Sequence, residues 1–247
     1  MLTSTGSSAS MTNWSLIFDA ARGGDMPAVE ARDQLVRRYW PAVYAFIRKT
    51  GRDVHEAADL TQGFVCDVVI GRNIFDHADP KRGRFRNLLL NALKNYIREQ
   101  HRNDTRIKRG GESAKPLALE RNEYEAVEVL TAKSPEGAFD SQWNATLIRR
   151  VLERVRAGCL ASGQDVHWAV FEARVVRPML FGETRGGYAA LIERFQLSGS
   201  GQAANMMITV KRRFARELFA EISQTVSDPA ETEEEVRALL RDLERHS

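Results

Sequence analysis

A chain of 247 residues is long for one compact helical core and suits two, since cores form in units of roughly 100 to 150 residues. A formal charge of +3, with arginine dominating the basic residues, favours a local basic surface over a uniformly cationic protein and by itself does not establish a polyanionic partner. Only Cys66 and Cys159 occur, far apart, which excludes a disulfide framework and a zinc site built on paired thiolates and fits a reducing cytoplasm. No run approaches the ~20 apolar residues of a membrane span, so the expectation is a cytoplasmic protein with no membrane partner.

Residues 1–13 are rich in Ser, Thr and Gly and read as a disordered tail, with Met11 a second candidate start. From Trp14 to Arg102 the apolar residues recur at helical spacing, and strand signals are nearly absent, so this stretch reads as one packed helical module. Leu35, Val36, Tyr39, Trp40 and Val43 share a helix that Pro41 either kinks or divides. Ala57, Leu60, Phe64 and Val68 form the apolar side of the next. Asp79, Pro80 and Gly83 place a loop over Phe75 to Arg84. A long helix from Arg84 then buries Phe85, Leu88, Leu89, Ala92, Leu93, Tyr96 and Ile97, while Asn87, Asn91, Lys94, Arg98 and Arg102 line its other side.

Residues 103–139 lose periodicity and read as an extended linker. A second helical module covers 140–226. The chain closes on 227–247, an acidic run followed by Val236, Leu239, Leu240 and Leu243 at amphipathic spacing. That terminal segment either covers a basic helix and weakens DNA binding or simply docks on the second module. The fold class is therefore all-α, two small helical domains joined by an extended linker.

Within the second module Tyr188, Leu191, Ile192 and Phe195 give a short helix, residues 196–201 a turn, and Ala203, Met207, Val210, Phe214 and Leu218 the apolar side of a second helix. That is the pattern of a helix-turn-helix. Gln202, Asn205 and Thr209 carry hydrogen-bonding groups suited to base edges, Ile208 suits a thymine methyl, and Lys211, Arg212, Arg213 and Arg216 suit phosphates. An enzyme reading has little to hold: the five histidines are dispersed and no Gly-rich phosphate loop or metal-spaced cluster occurs. No catalytic residue, metal or cofactor is expected. The rival reading is a stand-alone helix-turn-helix regulator that binds duplex DNA without polymerase, usually as a dimer.

The segments RRYWPAVYAFIRK, EAADLTQGF, DPKRGRFRNLLLNALKNYIREQHR and KRRFARELFAEI, in this order, resemble bacterial RNA polymerase sigma factors of the extracytoplasmic-function group of the sigma-70 family. The resemblance implies a region 2-like domain, a linker and a region 4-like helix-turn-helix in a subunit that binds core RNA polymerase and directs it to promoter DNA. It places Glu56, Asp59 and Gln62 against the polymerase clamp. It places Phe75, Lys81 and Arg82, with Phe85, around a flipped minus-ten base, and Asn91, Lys94, Asn95 and Arg98 on the opened strand. Gln202, Asn205, Thr209, Lys211, Arg212, Arg213 and Arg216 would read the minus-thirty-five element. Control by an anti-sigma factor or a Ser/Thr kinase belongs to the same expectation. Ala58 and Gly63 stand where the family commonly has carboxylates, so a phosphate on Thr61 is one candidate replacement for the missing charge. Helical projection offers the opposite reading, a Thr61 hydroxyl bonded to the carbonyl one turn back.

Overall fold

Helices account for most of the chain because each apolar stripe found above meets another. The computed structural model describes residues 13–22, 24–82, 84–107, 132–184 and 187–223, and among these there is no strand. The chain divides into two compact units, Met1–Thr146 and Leu147–Ser247. No described helix is long and apolar enough to cross a membrane.

In the first unit α1 (Asn13–Ala21) packs on α2 (Met26–Lys49). Asp25 caps α2 by accepting a hydrogen bond from the Ala28 N–H at 3.1 Å, and Pro27 sits in the first turn, where no N–H is needed. Pro41 costs the helix one internal hydrogen bond but does not end it. Leu35 and Tyr39 before it, and Ala42, Val43 and Phe46 after it, bury on the same core, and that shared burial outweighs the local loss. Thr50 and Gly51, the latter at φ +91°, stop the helix.

α3 (Val54–Phe64) opens with a capping box between Asp53 and Glu56, and the Glu56 N–H, followed by burial acting the other way, holds the Asp53 carboxyl below its ordinary value. A π-helical stretch, Val65–Gly71, continues it. Asn73, at φ +43°, then turns the chain into two short 3-10 segments, Ile74–His77 and Pro80–Arg82. α4 (Phe85–Ile107) buries Phe85, Leu89, Leu93 and Tyr96, as its periodicity indicates.

α5 (Pro135–Ala161) begins before the expected boundary at residue 140. Phe139 and Trp143 pack into the first unit, where the Trp143 ring stacks on Tyr39 at 4.5 Å and 4°. The expected linker 103–139 is thus helical at both ends, through Ile107 and from Pro135, because aromatic residues at the start of α5 find a core to enter. Of the expected tail 1–13, Asn13 begins α1, while residues 1–12, residues 108–131 and the acidic terminal segment lie outside the described residues.

The second unit is built from α5 residues after Thr146, α6 (Asp165–Phe171), a π segment (Glu172–Val176), α7 (Arg177–Phe181), α8 (Ala189–Phe195) and α9 (Ser200–Ser223). Ile148, Val151, Val155 and Cys159 of α5 meet Trp168 and Phe171 of α6 and Val210, Leu218 and Ile222 of α9. Glu221 is wholly buried among them, its carboxylate paired with Arg150 at 3.3 Å and with Arg154, which also reaches Glu217 at 3.8 Å.

Gly63 is fixed by packing, not by the chemistry of a surface. A methyl group there would lie 2.3 Å from the hydroxyl oxygen of Tyr96, a ring buried against Phe64. Burial, followed by the nearby Asp67 and Cys66, pushes the Tyr96 phenol up to about 12. Gly63→Ala is expected to destabilise the first unit by about 1–3 kcal/mol despite alanine's better helix propensity. In a Tyr96→Phe background the next nearest atom is 3.5 Å away, so the same substitution becomes neutral or stabilising. Urea unfolding of the parent and the three variants checks the sign reversal.

Candidate nucleic-acid interface

α8 and α9 are joined by a short turn and pack on one another. Leu191, Tyr188, Phe195 and Leu197 pack on Ala203, Met206 and Met207, with Val170 of α6 beneath them. The turn 196–199 uses Gln196 at φ +50° and Gly199 at φ +156°, and α9 starts at Ser200, two residues earlier than the sequence suggests. The Arg174 guanidinium lies 4.2 Å from the Tyr188 ring centre, and the Tyr188 hydroxyl donates to the Met207 sulfur at 3.7 Å, fixing the approach of α8.

With Ala203, Val210, Leu218 and Ile222 facing inward, Asn205, Ile208, Thr209, Lys211, Arg212 and Arg216 are exposed on the other side. These six residues stand where the sequence puts them. Three details differ. The Gln202 side-chain oxygen accepts hydrogen bonds from the Ser198 N–H at 2.7 Å and hydroxyl at 2.9 Å, so it caps the turn and has only its amide N–H groups to offer a base. The Thr209 hydroxyl donates to the Asn205 carbonyl at 3.0 Å, leaving an acceptor outward. Arg213 is not on the exposed face: one residue is a rotation of ~100°, which carries it over Gly158 of α5. There its guanidinium meets the Cys159 sulfur and the Ser162 hydroxyl, each at 3.4 Å. It holds α9 to α5, away from the side on which the sequence expects phosphates to be bound.

On α4, Asn87, Asn91, Asn95 and Arg98 are exposed, and Arg98 donates to the Asn95 side-chain oxygen at 3.2 Å. Lys94 is drawn away, to Glu136 of α5 at 2.9 Å. Its ammonium holds the Glu136 carboxyl below the ordinary carboxylate value. Lys94 therefore braces α4 against α5 and is not among the side chains left unengaged on the outer side.

Two grooves flank α4. One of about 280 Å³, near the lower end of small-ligand pockets, lies between the 3-10 turns and the helix. Arg82, Arg84, Asp79, Asn87 and Asn91 line it, and Trp14 forms part of its wall. The Trp14 indole N–H is buried with no acceptor among the described residues. The other, about 310 Å³, is lined by Arg72, Asn95, Arg98 and Arg102, with Glu99 paired to Arg72 at 3.1 Å. Arg72, Arg84 and Trp14 escape a sequence reading because their elements converge only in three dimensions.

Phe75 cannot stack a base. It is 2% exposed and stacks at 5.8 Å and 14° on Phe85, itself buried. The loop aromatics are core residues, since Ile74 and Phe75 must be buried for the 3-10 turn to pack. Lys81 and Arg82 remain exposed, with Arg82 3.6 Å from Asp79.

On α3, Glu56 and Asp59 are exposed and Gln62 half-buried, along one outward side. Glu56 also serves the capping box and lies 3.8 Å from Arg52. Thr61 is 0% exposed and its hydroxyl donates to the Ala57 carbonyl at 2.6 Å. A kinase cannot reach that hydroxyl in the folded unit, and a dianion there would sit unpaired in the core. The phosphosite expectation is withdrawn.

No family model matches the chain, and neither does any curated protein or solved structure.

Arg213→Ala is expected to lower the unfolding free energy by roughly 1 kcal/mol, through lost packing and hydrogen bonds to α5, whereas Arg212→Ala leaves it unchanged. Calorimetry on the two variants separates the bracing arginine from the exposed one. Glu136, being depressed in the fold, contributes stability above its ordinary value of 4.5 and loses it as pH falls through its folded value. Lys94→Met is expected to flatten that acid limb, a small effect because both partners are partly exposed.

Proposed function

We propose that the chain is a promoter-recognition subunit of bacterial RNA polymerase, of the extracytoplasmic-function sigma type. The single observation that carries the reading is the exposed side of α9. It presents Asn205, Ile208 and Thr209 followed by Lys211, Arg212 and Arg216, on the second helix of a helix-turn-helix. The arginines and the lysine neutralise duplex phosphates and fix register. Asn205 can pair with both hydrogen-bonding groups on an adenine edge, and Ile208 can contact a thymine methyl.

In the other unit, Asn87, Asn91, Asn95 and Arg98 contact the opened strand. An extruded base enters the groove between the 3-10 turns and α4. Flipping costs a few kcal/mol, so the base needs compensating partners there. With Phe75 and Phe85 buried, those partners are the amides of Asn87 and Asn91 and the Arg82 and Arg84 guanidiniums, which can lie flat on a base. Glu56, Asp59 and Gln62 face the polymerase clamp. The proposed chemistry is binding and melting alone, in the cytoplasm, with no catalytic group, and the proposal includes no kinase acting at Thr61.

Run-off transcription on a promoter library with added core polymerase tests the proposal. A transcript that depends on the chain is expected, and Asn205→Ala should cost about 1–3 kcal/mol of discrimination at one promoter position. No transcript, together with a palindromic footprint on duplex DNA, would instead establish a stand-alone regulator.

A further inference from the structure

The groove of about 310 Å³ beside α4 brings three guanidiniums together, those of Arg72, Arg98 and Arg102, with the Glu99 carboxylate as the one acid among the described residues that line it. Asn95, Val68 and Ala92 complete the lining. A volume at the lower end of small-ligand pockets suits a compact anion.

Local structure assembles this cluster from two elements. On α4, Asn95, Arg98, Glu99 and Arg102 stand at i, i+3, i+4 and i+7, so they share one side of the helix. Arg72 arrives at the end of the π-helical stretch, where its N–H donates to the Asp67 carbonyl five residues back at 3.0 Å. Gly71 lets that wide turn close, since a methyl group there would lie 3.0 Å from the Cys66 carbonyl oxygen. The turn delivers Arg72 to α4, and its guanidinium donates to Glu99 at 3.1 Å.

One carboxylate does not balance three cations. Arg98 donates to the neutral Asn95 side-chain oxygen at 3.2 Å and the Arg102 Nε to the Arg98 carbonyl at 3.4 Å, contacts that orient the two guanidiniums without cancelling their charge. Like charges one turn apart destabilise a helix, and a third cation across the groove adds to the repulsion. A phosphate-bearing ligand turns that repulsion into attraction, because each planar guanidinium can donate to two phosphate oxygens at once.

We propose that this groove is a phosphate-binding site, which takes two adjacent phosphate groups between Arg72 on one wall and Arg98 and Arg102 on the other. The Asn95 amide N–H is a further donor, and Glu99 sets the affinity by competing for Arg72. The site stands on its own geometry and does not depend on promoter recognition. Its phosphates can come from a free diphosphate or from a single nucleic-acid strand. A strand would reach it one turn beyond Asn91, on the same side of α4 as the groove assigned to an extruded base, and that source alone rests on the function proposed above.

Isothermal titration of the full chain with sodium pyrophosphate, in magnesium-free buffer at constant ionic strength, tests for the site. Fluorescence anisotropy of a labelled single-stranded oligonucleotide distinguishes the source. Arg72→Gln and Arg98→Gln are each expected to weaken pyrophosphate about tenfold and Glu99→Gln to tighten it about fivefold. Arg37→Gln, which removes an exposed charge from α2, should leave it unchanged. The gain in Glu99→Gln is a result that a purely bracing Arg72–Glu99 pair does not produce. Strand affinity that follows the same order among the variants assigns the site to a nucleic-acid backbone. Pyrophosphate binding that follows this order, with strand affinity indifferent to Arg72→Gln, assigns it to a free diphosphate. Absence of saturable pyrophosphate binding in the parent and in Glu99→Gln, with strand affinity unmoved by Arg72→Gln, overturns the inference. An equal loss in Arg37→Gln and Arg72→Gln also overturns it, in favour of general attraction to a basic surface. Either failure leaves duplex binding by α9, and the promoter reading carried by it, to be judged by transcription.

Discussion

The second unit depends on how α9 is rotated, and the buried Glu221 sets that rotation. A fully buried carboxylate is tolerated only where cations reach it, and here Arg150 and Arg154 do so from α5. Turning α9 by one residue would leave that charge unpaired and expose Val210 and Leu218. Arg213, lying over Gly158, reinforces the same seating. Once the inner side is fixed in this way, the outer side has no freedom: Asn205, Ile208, Thr209, Lys211, Arg212 and Arg216 must face solvent or a ligand.

The first unit reaches a similar result by other means. α4 is seated by Leu89, Leu93 and Tyr96 inside and by the Lys94–Glu136 pair at its edge. The close approach of α4 to α3, where the Tyr96 hydroxyl leaves room only for glycine at position 63, makes Gly63 a packing residue. The same tight packing buries Thr61. The glycine at position 63 is therefore a consequence of how α3 meets α4.

The helices were readable wherever one strong apolar stripe faced one polar side, as in α4 and α9. Pro41 misleads because its local penalty is visible in the sequence and the burial on either side of it is not. Residues near the boundary between two sides were the least readable: Lys94 and Arg213 look solvent-facing by type, yet each finds a partner on α5, Glu136 and Cys159 respectively, more than forty positions away. Phe75 is a different case. An aromatic between turn-forming residues reads as a ligand contact until the partner ring, Phe85, is seen to cover it. The grooves beside α4 draw walls from α1, the π-helical stretch and the turns as well as α4, so no local pattern marks them.

The central claim is that the outer side of α9 neutralises DNA phosphates. Its most direct measurement is the salt dependence of duplex affinity for the full chain, compared with the same chain carrying Arg212→Ala and Arg216→Ala. The account predicts a slope of log affinity against log salt smaller by about one unit for each arginine removed, while Arg213→Ala leaves the slope unchanged. Equal slopes for the Arg212 and Arg216 variants and the parent, or a loss confined to Arg213→Ala, would contradict it.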